Sequence, residues 1–169
     1  MTMMKLGTHR PRASLRARML APERRGPLRG GRWLLGNLRA GRMQKTLGAA
    51  VALSAPPLAF EIYLEHYKGS FGDKWMWTPI VLTPPLAAAG VAAIFSERVA
   101  RTALPALSAL YLADGLIGVW THVQGVRKKP GGLENPTYNL VMGPPLLAPG
   151  SLVLVGAFGL LAPLMARER

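Results

Sequence analysis

His66 and His122 are the side chains in this sequence best suited to chemistry. Each stands near the polar end of a long apolar stretch, in matching surroundings: Leu64-Glu65-His66-Tyr67-Lys68-Gly69 and Trp120-Thr121-His122-Val123-Gln124-Gly125. A neutral imidazole offers one axial bond to haem iron or one hydrogen bond to a quinone. Two such rings on facing helices meet the needs of six-coordinate haem b. A haem b or quinone contact between the first and third helices is therefore expected, with Gly69 and Gly125 leaving room for the edge of a macrocycle. The rival reading makes both histidines plain polar anchors at headgroup depth. Beyond haem iron no metal site is expected. The chain has no cysteine, and no glutamate is followed by a histidine three residues later, as a di-iron bundle requires.

Three acids come next. Glu61 and Asp114 interrupt apolar stretches, and Glu65 stands one turn beyond Glu61. An ionised carboxylate at the centre of a spanning helix costs about 2.5–3.5 kcal/mol, so Glu61 and Asp114 are expected to face a bundle interior. There they would handle protons or ions, or fix packing through hydrogen bonds. Phosphate-binding loops, His-Glu-x-x-His and nucleophile elbows are all missing from the sequence. No catalytic activity of the chain's own is expected.

The elements that must carry these residues are four apolar stretches, at about 46–67, 77–95, 102–123 and 140–165. Each approaches the ~20 residues that a helix needs to cross a ~30 Å hydrocarbon core. The fold expected is all-α: an integral membrane four-helix bundle over residues 46–169, kinked at Pro56-Pro57, Pro84-Pro85 and Pro144-Pro145. Its two halves look repeated. His66 leads to Pro84-Pro85-Leu86 and Gly90, and His122 leads to Pro144-Pro145-Leu146 and Gly150. Two related helical hairpins would follow. Ser54, Thr83 and Ser151 are expected to satisfy carbonyls that the prolines free.

Charge is concentrated elsewhere. Residues 1–42 hold eleven Lys/Arg against Glu23 alone, which is +10 of the formal +13. The Arg-rich tail at 1–45 is expected to be disordered, and to lie outside the translated protein if synthesis starts at Met43. Directly before a span, it suits an anionic lipid surface better than nucleic acid, which is not expected as a partner. The positive-inside rule then puts both termini in the cytoplasm of a multi-pass cell-membrane protein, with Arg127, Lys128 and Lys129 on the disfavoured side. Tyr67, Trp75, Trp77, Trp120 and Tyr138 mark the opposite interface.

These features suit a small membrane subunit or anchor, with a redox complex as its setting and partner subunits or a second copy beside it. A proton-coupled transporter or channel using Glu61 and Asp114 is the first alternative. A non-catalytic membrane scaffold is the second.

Overall fold

The structure is a computed structural model describing residues 28–168, and among these it is all-helical, without a β-strand. Helix α1 runs Leu28–Arg39, α2 Gln44–Lys68, α3 Thr78–Phe95, α4 Glu97–Arg101, α5 Ala103–Arg127, α6 Pro136–Val141 and α7 Leu147–Leu161. Short 3₁₀ turns at Lys74–Trp77, Gly132–Glu134 and Ala162–Leu164 join or extend them. Four segments are long and apolar enough to cross a membrane: Gln44–Lys68, Lys74–Phe95, Glu97–Arg127 and Leu147–Leu164. At 25 residues, α2 alone is about 37 Å long at ~1.5 Å per residue.

The expected tail differs in its last third. Residues 28–39 form a helix, because Trp33, Leu34, Leu35 and Leu38 recur at helical spacing among Arg32 and Arg39. Residues 1–27 lie outside the described residues. The fourth span also starts later than expected. Residues 136–141 make the separate helix α6, and Pro144-Pro145 sits in the non-helical link before α7 instead of kinking a helix. Two consecutive prolines without N–H donors end helical pairing there. Pro56-Pro57 and Pro84-Pro85, by contrast, lie inside α2 and α3.

Packing is closest within two helix pairs, α2 with α3 and α5 with α7. Small residues make this closeness feasible. A Cβ on Gly90 would come within 2.8 Å of the Gly48 carbonyl oxygen, and one on Gly156 within 2.8 Å of the Ser108 carbonyl oxygen. The core between the pairs is built from Val51, Ala55, Leu86, Leu104, Tyr111 and Val155, all buried. Outward faces are apolar too: Leu53, Phe60, Val81, Phe95 and Leu147 are exposed. Thr83 and Ser151 donate to the carbonyls of Pro79 and Leu147 four residues back, and not to carbonyls freed by the prolines. Since the Thr83 hydroxyl donates to Pro79, the 3.2 Å contact with Tyr111 is a bond donated by the Tyr111 hydroxyl, tying α5 to α3.

One end of the bundle is closed by residues 165–168. The Glu168 carboxylate accepts from the backbone N–H groups of Lys45 and Thr46 at 2.7 and 2.8 Å, capping α2 where Met43 supplies no side-chain bond. The Arg167 guanidinium donates to the Ala93 and Ile94 carbonyls at 3.1 and 2.6 Å, at the C-terminal end of α3. An anion therefore meets a helix N-terminus and a cation a helix C-terminus, as the helix dipoles favour. Burial opposes ionisation of Glu168, but the N–H groups of Thr46 and Lys45 outweigh it and hold its carboxyl below the ordinary glutamate value.

Candidate functional site

The other end opens into a cavity of about 1110 Å³, and both histidines line it. On α5 the lining residues Leu110, Ala113, Asp114, Ile117, Gly118, Thr121 and His122 fall three and four apart, so one stripe of the helix faces the space. Ile62, Glu65 and His66 do the same on α2, with Gly69 just past its end. Trp75, Met76 and Trp77 border it from the approach to α3 and Thr78 from its first residue, while Pro144 and Pro145 border it from the approach to α7 and Pro149 from its first turn. Trp75, Leu110 and Ile117 are exposed as well as lining, so the cavity is open along a side.

Each histidine ring is held by the link that leads into the next helix. His66 Nδ1 lies 3.1 Å from the Met76 carbonyl oxygen, and His122 Nδ1 lies 2.7 Å from that of Pro145. A carbonyl can only accept, so in a neutral ring Nδ1 carries the proton and Nε2 keeps a bare lone pair. Prolines leave these carbonyls short of donors: Pro79 follows Met76 by three residues, and Pro149 follows Pro145 by four. His66 is further steadied edge-on by Phe71 at 6.0 Å, which stacks on Trp77 at 4.2 Å. Phe71 adopts a φ of 47°, in the left-handed region that costs a side-chain-bearing residue about 1–2 kcal/mol.

The acids separate. Asp114 lines the cavity, and its Oδ1 lies 2.5 Å from the Thr78 hydroxyl, which also lies 2.8 Å from the Trp75 carbonyl oxygen. Glu65 lines it too and accepts from Lys68 at 2.5 Å. Glu61 does not. It is exposed on the outside of α2, contrary to the interior position expected for it. The reason is helical phase. The lining stripe is centred close to Ile62, and at ~100° per residue Glu61 falls about a quarter-turn away.

Gly69 lines the cavity as expected, but Gly125 serves packing: a Cβ there would stand 2.8 Å from Pro144 Cγ. Thr78 and the two backbone carbonyls were not singled out from sequence, and Trp75 was read there only as an interfacial aromatic. The prolines that follow those carbonyls are the signal that could have found them.

The lining carries three carboxyl side chains, those of Glu65, Asp73 and Asp114, and no lysine or arginine among the described residues. Asp73 is engaged by the Trp75 N–H at 3.0 Å. What remains is a roomy apolar space with two fixed imidazole lone pairs and one carboxyl at its wall. No group of three or more His, Asp or Glu among the described residues is arranged to hold a metal ion. Comparison with protein-family models, with curated proteins and with solved structures finds no match to this chain.

Proposed function

We propose that the chain is a small multi-pass membrane subunit or anchor whose cavity holds a redox-active, lipid-soluble ligand, a haem b or a quinone, between His66 and His122. One observation carries this reading: both rings border one cavity, each with Nδ1 committed to a carbonyl and Nε2 left as a lone pair. That is the state a ligating or hydrogen-bond-accepting histidine requires. Insertion in a bilayer is supported by the four apolar spans and by exposed Leu53, Phe60, Phe95 and Leu147, an outer surface that water would not tolerate at this extent. The charge of residues 1–42 supports a cytoplasmic N-terminus, with the histidine end on the opposite side and anionic lipid as the tail's partner.

The repeat belongs to this proposal as well. Each hairpin has a histidine near the end of its first helix that bonds the approach to its second. Partner subunits or a second copy would receive the electrons, since the loops are too short to hold a soluble catalytic domain.

The test is an absorption spectrum of detergent-purified protein before and after dithionite, with analysis of its lipid extract. A Soret band or a co-purifying quinone is expected, lost in His66→Ala and in His122→Ala. A colourless protein with no extractable redox ligand overturns the reading.

Asp114 in the same cavity favours a second reading, a proton-coupled carrier. It requires pH-dependent flux in proteoliposomes that Asp114→Asn abolishes, and unaltered flux removes it. A scaffold without ligand is what remains if both tests fail.

A further inference from the structure

We infer that the occupant of the cavity is a neutral hydroquinone with an apolar tail, bound preferentially in its reduced form. This rests on the redox-ligand reading above and narrows it to one ligand class.

Charge decides first between the two candidate ligands. Haem b carries two propionates, and among the described residues the lining offers them Glu65, Asp73 and Asp114 with no lysine or arginine. The nearest cations on these lining residues are already engaged, Lys68 by Glu65 and Lys74 over the Trp75 ring. Anionic groups set into the wall therefore lack free charge-assisted bonds to offset their desolvation. A neutral ligand meets no such cost.

Hydrogen-bond direction decides next. The Met76 and Pro145 carbonyls take the Nδ1 protons, so His66 and His122 can offer a ligand only their Nε2 lone pairs. Asp114 has its Oδ1 engaged by Thr78, and its second oxygen has no partner among the described residues. These side chains want donors. A hydroquinone brings two hydroxyls on opposite edges of one ring, whereas the oxidised quinone has only carbonyl oxygens, which would face lone pairs. Trp75 and Trp77 add aromatic surface to the border of this space. The opening beside Leu110 and Ile117, midway along an apolar helix, lets a hydrocarbon tail lie outward.

The experiment uses the full chain in phosphatidylcholine nanodiscs, titrated calorimetrically with a short-tailed benzoquinone and separately with its hydroquinone, against empty nanodiscs. Saturable binding is expected, with the hydroquinone tighter by about tenfold, one hydrogen bond's worth. His66→Asn and His122→Asn keep an N–H for the carbonyl but remove the Nε2 lone pair. Each should weaken the hydroquinone by about tenfold and leave the quinone unmoved. Glu61→Gln, outside the cavity, should change neither. Equal affinity for the two forms, tighter quinone, or no saturable binding overturns the inference. If purified protein instead shows a Soret band that His66→Ala and His122→Ala abolish, the hydroquinone falls while the redox reading stands. If neither haem nor either quinone form binds, both fall.

Discussion

A histidine that bonds a carbonyl in the link to the next helix holds that link in place, and truncation measures how much it contributes. His122→Ala leaves the Pro145 carbonyl without its 2.7 Å donor, and a melt in detergent should lose about 1 kcal/mol, which His122→Asn largely restores. At the opposite end Glu168 caps α2 through a buried carboxylate. Glu168→Gln should cost about 1 kcal/mol at pH 7. Its carboxyl is held below the ordinary value, so its contribution is complete above the unfolded value near pH 4.3 and fades as pH falls through the lower folded one. Melts of wild type and variant should therefore converge only once the pH has fallen below the folded value, and a gap that never closes in acid contradicts this role. That His66 and His122 line one cavity could be anticipated because each stands near the end of a long apolar stretch, three residues before a glycine. Their carbonyl partners could not, since they lie 10 and 23 residues away across links whose path the sequence does not specify. Glu61 misled because polarity within an apolar run says nothing about which face of the helix it occupies.

Helices here are positioned by what they lack. Gly115 stands against α7 so closely that a Cβ would lie 2.8 Å from the Val153 nitrogen and 2.9 Å from the Pro149 carbonyl oxygen. Both are backbone atoms, so nothing can rotate aside. Gly115→Leu should force α5 from α7, lowering the melting free energy by about 1–3 kcal/mol. Gly150→Ala, with open space around it, should change little, and thermal melts of the two variants side by side check the contrast. Span positions were readable to within a few residues because apolar length is a strong signal. The start of the fourth was not: hydropathy continues through Leu140–Leu146 although Pro144 and Pro145 cannot pair as helix, leaving α6 apart from α7. The helix at Leu28–Arg39 escaped notice because arginines and glycines mask its apolar spacing.

At the scale of the whole chain, four outwardly apolar spans predict that the protein stays with membranes through alkaline carbonate washing. Release into the supernatant as folded monomer would contradict this. The bundle is also uneven along its length. Residues 165–168 tie α2 to α3 at one end, while the other end is held apart around its cavity. Deleting 165–168 should lower the melting temperature more than His66→Ala does, because it removes caps from two helices at once. The same unevenness shapes fluctuation. Amide deuteration should be slow near Gln44, Ala93 and Ala162 and fast toward Gly69, Trp75 and Gly143, a gradient running from one rim to the other. A guest seated beside His66 and His122 would slow only the fast rim, so its arrival could be timed by exchange even if it were colourless.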